Sequence, residues 1–129
     1  MEGDCHVLID FRVDRPIFLQ LAEAIEDDVL DGRYAEDGQI VSTTDLAVTL
    51  RINPATANKA ISCLVDEGVI YKRRGVGMFM AQGARDRILK KRRERFRKDF
   101  VDPMLHEAAK LGIAEEDVIA MIKERGRVT

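Results

Sequence analysis

The chain of 129 residues has no tryptophan and few aromatic residues, 5% in all. Its core must therefore be mainly aliphatic. No apolar run approaches the roughly 20 residues that a membrane-spanning helix requires. The chain also does not open with a charged segment followed by an apolar one, as secretory signals do. We therefore expect a cytoplasmic protein that does not associate with membranes.

Residues that carry catalysis or bind metals are also scarce. Cys5 and Cys63 have no partners at metal-ligand spacing, and we expect Cys63 to be a buried thiol rather than part of a disulfide or a redox switch. His6 and His106 lie far apart, with no carboxylate constellation around either. The segment Gly75-Val76-Gly77 lacks the third glycine and the following helix of a dinucleotide site. These absences predict a protein that is not an enzyme and has neither a cofactor nor a metal site.

A first helix is predicted to open at Pro16 and to end at Gly32. Its apolar residues recur at helical spacing, and they are Phe18, Leu21, Ala22, Ile25 and Val29. Acidic residues are expected to cover the other side, and they are Glu23, Glu26, Asp27, Asp28 and Asp31. We interpret the three aspartates as solvated rather than as a metal site.

Residues 42–68 are typical of two short helices joined by a tight turn. Ser42 is a predicted N-cap, and Asn53 followed by Pro54 predicts the start of the second helix, since proline is tolerated at the first helical position. Gly68 is expected to end it. The predicted inner residues are Leu46, Ala47 and Leu50 in the first of these helices and Ala57, Ala60, Ile61 and Leu64 in the second.

A basic hairpin follows these two helices. Val69-Ile70-Tyr71 and Met78-Phe79-Met80 are β-prone, and the glycine-rich segment Arg74–Gly77 between them favours a tight turn. A small strand near Gln39-Ile40 is also placed to pair with this hairpin.

Together these elements indicate a helix-turn-helix with a wing. In that arrangement the second helix enters the DNA major groove, and basic residues of the wing contact phosphates or the minor groove. The alternative from periodicity alone is an ordinary helical hairpin followed by a β-turn.

Longer motifs make the interpretation more specific. They are Pro16–Leu21, Gly32-Arg33-Tyr34, Ser42 with Leu46-Ala47, Ile52–Ala60, Glu67–Ile70 and Arg73–Phe79. In their order and spacing they resemble the GntR-type transcription regulators, over residues 10–82. The fold class implied is mainly α with a small β-wing. Residues 10–83 would form the winged helix-turn-helix domain, and residues 84–129 a C-terminal helical dimerisation region. The length of this tail resembles the small YtrA-like branch.

The resemblance implies a transcriptional regulator, typically a repressor, that binds a near-palindromic double-stranded DNA operator as a homodimer. Carried over by position, the DNA-binding residues are Ser42, Thr44, Asn53, Pro54, Ala55, Thr56, Asn58, Lys59, Arg73, Arg74 and Gly75. The family commonly has Pro at position 41 and Arg at positions 44 and 58, where this chain has Val41, Thr44 and Asn58. Because Asn prefers adenine and Arg prefers guanine, we expect an operator richer in A·T pairs. The rival function is a winged-helix scaffold that binds proteins but not DNA.

The tail carries apolar residues at helical spacing but is too small to close a core alone. The residues expected to dimerise are Leu89, Phe96, Phe100, Met104 and Leu111. A symmetric dimer is the favoured explanation, and a tail folded back on the winged domain is the alternative. Pro103 either kinks one helix or, with Asp102 as cap, starts a new one. A last helix is predicted from Ala114 to Glu124.

Charge is distributed unevenly. Residues 1–84 carry a net −6, residues 85–98 a net +7 and residues 99–129 a net −3, within an overall −2. In the basic stretch, Arg85, Arg87, Lys90 and Lys91 either extend the phosphate contacts or form a solvated face. The sequence leaves open a small-molecule effector bound between tail and winged domain, without indicating its identity.

Overall fold

A computed structural model describes residues 11, 14–40 and 42–128. The predicted fold class is confirmed: six α-helices and one two-stranded sheet make up this part of the chain. The elements are α1 (Ile17–Leu30), α2 (Thr43–Leu50), α3 (Pro54–Asp66), β1 (Ile70–Arg73), β2 (Gly77–Met80), α4 (Ala84–Phe96), a π-helical turn (Arg97–Val101), α5 (Asp102–Lys110) and α6 (Glu115–Val128). Within the described residues, no helix combines the length and apolar character needed to cross a membrane.

The chain divides into two compact units, Met1–Leu89 and Lys90–Thr129, which we call the winged unit and the tail unit. The division falls inside α4, six residues after the helix begins. The domain boundary expected between residues 83 and 84 stays a prediction.

The core of the winged unit is aliphatic, as expected from the composition. Helix α3 packs against both α1 and α2. All four predicted inner residues of α3 are buried, as are Leu46 and Ala47 of α2. Ala84 and Ile88 add the start of α4 to the same core. Cys63 is half-buried rather than buried, because its position on α3 lies at the edge of the inner stripe.

Two acidic residues of α1 correct the sequence interpretation. Glu26 is 1% exposed and Asp28 is also buried, although both were expected on the solvated side. Asp28 follows Leu21 by seven residues and Ile25 by three, so helical geometry puts it on the apolar stripe. Glu26 follows Ala22 by four and lies at the edge of that stripe. The Nε of Arg33, in the loop after α1, lies 3.3 Å from Oδ1 of Asp28, so this carboxylate is ion-paired rather than solvated.

The turn around α2 and α3 follows the predicted caps. Ser42 Oγ accepts a hydrogen bond from the Asp45 backbone N–H at 3.1 Å, and Asn53 Oδ1 accepts one from Ala55 N–H at 2.8 Å. Each cap satisfies a backbone donor that the first turn of a helix leaves unpaired. Arg51 joins the helices in a left-handed conformation with φ +55°.

The wing is an antiparallel hairpin in which Tyr71 of β1 lies opposite Phe79 of β2. The strand expected near Gln39-Ile40 is reduced to one bridge, between Gln39 and Phe79. Backbone hydrogen bonds flank that bridge, from Ile40 N–H to the Met78 carbonyl and from Met80 N–H to the Gly38 carbonyl, each 2.9 Å. The loop before α2 thus pairs with β2 along one side of the wing.

In the tail unit, the backbone stays helical through Pro103. Asp102 has helical dihedrals (φ −61°, ψ −45°) and its N–H bonds to the Arg97 carbonyl five residues earlier. Asp102 is therefore not the cap of a separate helix. One widened turn accommodates the proline, which lacks the N–H that a regular α-helix would use. Helix α6 begins at Glu115 and extends to Val128, beyond the predicted end at Glu124.

Candidate nucleic-acid interface

The outer face of α3 is polar and accessible. At and near the start of the helix the exposed residues are Asn53, Pro54, Ala55, Asn58 and Lys59, and Thr56 is half-buried. The side-chain oxygen of Asn53 is already engaged as the cap, which leaves its amide N–H groups for other partners. Small side chains at this end allow close approach to another surface.

Lys59 has an intramolecular contact that the sequence did not predict. Its Nζ lies 4.3 Å from the centre of the Phe18 ring of α1. A cation over an aromatic face at this distance is attracted by the ring quadrupole. The ammonium group therefore helps to hold α3 against α1.

Helix α2 contributes its first turn. Ser42 and Thr44 are both exposed, with the Ser42 hydroxyl oxygen occupied by its capping bond. Thr43 of the same turn lines a groove of about 260 Å³ with Asn58 and Ser62 of α3 and Lys72 and Met78 of the wing. The start of α2, the middle of α3 and the hairpin are thus adjacent.

The tip of the wing presents two arginines. Arg73, Arg74 and Gly75 are exposed, and Gly75 adopts φ +77° in the turn, a conformation that favours glycine. The guanidinium carbon of Arg73 lies 5.5 Å from the centre of the Phe79 ring, and that ring stacks on Tyr71 at 5.7 Å. The aromatic pair therefore supports one of the two arginines.

A hydrogen-bonded cluster at the base of the wing escaped the sequence analysis. Asp37 Oδ1 accepts from the Tyr71 hydroxyl at 2.9 Å, and Asp37 Oδ2 accepts from Gln82 Nε2 at 2.7 Å. The bonds from Gln82 and then Tyr71 hold the pKa of Asp37 below its ordinary value. The bond to Asp37, with some burial, raises the pKa of Tyr71 above its ordinary value. Sequence patterns could not reveal this cluster, because Asp37 lies in a loop, with a left-handed φ of +61°, and not in a periodic element.

Known proteins are similar to this chain in sequence and in overall fold. The family model "Bacterial regulatory proteins, gntR family" matches residues 18–80. A crystal structure of a protein from Bacteroides thetaiotaomicron, described as a transcriptional regulator of the GntR family, is 36% identical. It covers 86% of this chain and 96% of its own, with a TM-score of 0.76. The chain belongs to the GntR family.

Two further relatives refine this membership. The HTH-type transcriptional repressor YtrA of Bacillus subtilis is 26% identical over 118 residues, which are 92% of this chain and 90% of that protein. The DNA-binding domain of AraR, solved in complex with operator ORE1, is 27% identical with a TM-score of 0.51. It covers 56% of this chain and 90% of its own. This GntR-family chain is thus a DNA-binding winged-helix regulator similar to YtrA, and the family membership confirms that it is not an enzyme.

One residue of the basic stretch in this GntR-family protein has a structural role. Arg87 Nη1 donates to the carbonyl oxygens of Gly68 and Gln82, both at 2.8 Å. Its guanidinium therefore joins α4 to the turns before and after the wing. Arg85 and Lys90 are exposed and Lys91 is half-buried, so the two interpretations of the stretch stay open for them.

The residues expected to dimerise lie on the surface of the tail, apart from half-buried Leu89 of the winged unit. Phe96 and Phe100 are 59% and 65% exposed, with ring centres 5.8 Å apart. Met104 and Leu111 are also exposed and line a groove of about 470 Å³ between α5 and α6. Sequence reasoning missed Leu105, Ile119, Met121 and Ile122, which are exposed too. Their apolar character was visible in the sequence, but their exposure was not.

Proposed function

We propose that this GntR-family regulator is a repressor that binds a near-palindromic operator as a homodimer. In each copy, α3 lies in the major groove, the first turn of α2 contacts the backbone, and the wing reaches phosphates or the adjacent minor groove. The observation that carries the proposal is the exposed, polar start of α3 beside an exposed pair of wing arginines in one compact unit. The similarity to the AraR DNA-binding domain, which was solved in complex with operator ORE1, supports the binding of operator DNA.

Within this interface the residues have different tasks. Asn58 is exposed on α3 and its amide can pair with the edge of an adenine, which predicts A·T-rich positions in the operator. Arg73 and Arg74 bring positive charge next to the DNA phosphates, so operator affinity should fall steeply as the salt concentration rises. The remaining residues allow the protein to approach the DNA closely and position it on the DNA backbone. They are Ser42, Thr44, Asn53, Pro54, Ala55, Thr56 and Gly75. Lys59 acts mainly through its contact with Phe18.

The tail provides the surface through which the two copies contact each other. Its exposed phenylalanine pair and the apolar α5–α6 groove form the kind of surface that a monomeric protein seldom leaves in water. A two-fold axis allows each tail to cover the other with the same residues.

DNA binding is tested by fluorescence anisotropy with fragments from the upstream region of the protein's own gene. Arg74→Met should weaken binding to every DNA fragment that the wild type binds, whatever its sequence. Asn58→Ala should weaken binding and also relax the base preference at one operator position. Equal or better affinity for a G·C-centred operator of an Arg-bearing relative would reject the A·T prediction. If no fragment binds while the protein is folded and dimeric, the scaffold function is favoured instead.

Dimerisation is tested by analytical ultracentrifugation. Phe100→Glu should give a folded monomer, because a carboxylate cannot be buried unpaired at an apolar contact. The matched control is Lys98→Glu, which introduces the same side chain two residues away and should leave the dimer intact. A wild-type protein that sediments as a monomer at micromolar concentration would overturn the homodimer. Repression itself is tested by a reporter placed behind the bound fragment, where deletion of the regulator gene should raise expression.

A further inference from the structure

The loop between α1 and α2 contacts both ends of the wing hairpin. Tyr71 lies near the start of the hairpin and Gln82 two residues after its end, and the carboxylate of Asp37 accepts a hydrogen bond from each. The backbone N–H of Asp37 donates to the Met80 carbonyl at 2.8 Å. The neighbouring Glu36 accepts from the backbone N–H of Gly83 at 2.8 Å, where α4 is about to begin. The adjacent carboxylates of Glu36 and Asp37 thus hold together the segments at the base of the wing, which we call its root.

A carboxylate at this position carries costs. Asp37 adopts a left-handed φ of +61°, which is less favourable for it than for glycine, although aspartate and asparagine tolerate it better than other residues with a side chain do. The carboxylate also puts a negative charge close enough to Arg73 to attract that arginine, which lies on the hairpin proposed to contact phosphates. The two donors come from different segments and reach different oxygens, and at this length of side chain only aspartate presents two acceptor oxygens. The geometry explains why an acid is used here despite its charge.

We propose that Asp37 is a positioning residue for DNA binding, whose carboxylate fixes the root of the β1–β2 hairpin so that Arg73 and Arg74 are held at the angle required by the duplex. This inference rests on the proposed function. A hairpin of four-residue strands has little stability alone. Its orientation therefore depends on contacts at its base, and the carboxylate of Asp37 makes two of them.

The proposal predicts the opposite of simple electrostatics. Removing an acidic charge from a DNA-binding unit ordinarily strengthens binding, since repulsion from phosphates is reduced. Under the proposal, Asp37→Asn weakens binding instead. Asparagine tolerates the left-handed backbone, but it is uncharged and has one acceptor oxygen instead of two, so it cannot reproduce both charge-assisted bonds from Tyr71 and Gln82. We expect a loss of affinity of about tenfold, which is what one hydrogen bond to a charged group is worth.

The double variant Asp37→Asn/Gln82→Glu tests the mechanism. It exchanges donor and acceptor across the same contact, so the introduced amide donates to the introduced carboxylate and the net charge equals that of the wild type. We expect it to recover most of the lost affinity. The matched control is Asp31→Asn, which removes the same charge at an exposed position at the end of α1. It should leave binding unchanged or slightly stronger.

Operator affinity is measured by fluorescence anisotropy over a range of salt concentrations, with thermal unfolding of each variant recorded in parallel. A wing that no longer reaches its phosphate lowers the slope of log affinity against log salt by about 0.9 per lost contact. A purely structural role of Asp37 would lower the unfolding temperature and leave this slope unchanged. Should Asp37→Asn not fold, Tyr71→Phe removes one of the two bonds with the hairpin otherwise intact, and the same decrease in slope is expected.

The outcomes separate this inference from the function on which it rests. If Arg74→Met weakens binding but Asp37→Asn behaves like Asp31→Asn, the positioning role is overturned and the DNA interface stands. An unchanged salt slope in a folded Asp37→Asn or Tyr71→Phe variant also overturns it. If Arg74→Met has no effect, the wing does not contact DNA and both proposals about it are wrong.

Discussion

The ammonium group of Lys59 lies over the Phe18 ring, 4.3 Å from its centre, and so ties the outer face of α3 to α1. We expect Lys59→Met, which keeps most of the aliphatic stem, to lower the free energy of unfolding by about 0.5–1 kcal/mol. Urea denaturation measures this. The control is Lys72→Met, at another exposed lysine, and equal losses in both variants would contradict a specific role for the ring contact.

The same variant separates positioning from phosphate contact. Because the ammonium group is engaged with Phe18, we expect Lys59→Met to leave the salt slope of operator binding nearly unchanged, whereas Arg74→Met should lower it by about 0.9. A comparable decrease in the Lys59 variant would show that the lysine leaves the ring when DNA binds.

The N-cap of α3, Asn53, and an asparagine within the helix, Asn58, offer a matched comparison. Asn53→Ala removes the cap that accepts from Ala55 N–H and should cost about 1 kcal/mol of stability. Asn58→Ala makes the same chemical change at an exposed site and should change stability by less than about 0.5 kcal/mol, while it weakens operator binding. Denaturant unfolding and anisotropy together test this. Equal stability losses would mean that the cap contributes nothing particular.

Arg87 joins two backbone carbonyls through one guanidinium nitrogen. We expect Arg87→Met to lower the unfolding free energy by about 1–2 kcal/mol, because the Gly68 and Gln82 carbonyls lose a charged donor. Arg85→Met, at an exposed position two residues earlier on α4, is the control and should be nearly neutral. If the two variants unfold alike, the bridge has no net value.

The Asp37–Tyr71 bond predicts a pH dependence at the alkaline end. The chain has two tyrosines and no tryptophan, so the ultraviolet absorbance of tyrosinate can follow their ionisation. Since the pKa of Tyr71 is raised above 10.0, its contribution to stability is complete below that pH and is lost as pH rises through the raised value. In a Tyr34→Phe background, Asp37→Asn should shift the titration toward lower pH. An unshifted titration would contradict the charge-assisted bond.

The acid side follows from Asp37 itself, with the opposite sign. Its folded pKa lies below the ordinary 3.8, so the carboxylate stabilises the fold above that pH, and this contribution is lost as pH falls through the depressed value. The stability difference between the wild type and Asp37→Asn should therefore shrink between neutral and strongly acidic pH. A difference that stays constant would contradict the assignment.

Local features of the fold were predictable, because their causes lie within a few residues. Ser42 and Asn53 cap the helices that follow them, and the inner stripe of α3 repeats at helical spacing. The cluster around Asp37 was not predictable, since its partners Tyr71 and Gln82 are 34 and 45 residues away. Asp28 shows a different failure: its spacing placed it on the buried stripe, and its charge led us to expect the surface. Which side chains meet DNA stays a prediction.

The widened turn at Arg97–Val101 has a consequence for any comparison of tails. One extra residue in a turn rotates everything beyond it by about 100° about the helix axis. A single helical wheel drawn from α4 to α5 therefore assigns the wrong neighbours to Met104 and Leu105. Related tails with and without Pro103 would align in sequence without a gap and yet present differently oriented surfaces, and chimeras joined across this segment should be built with that phase offset counted.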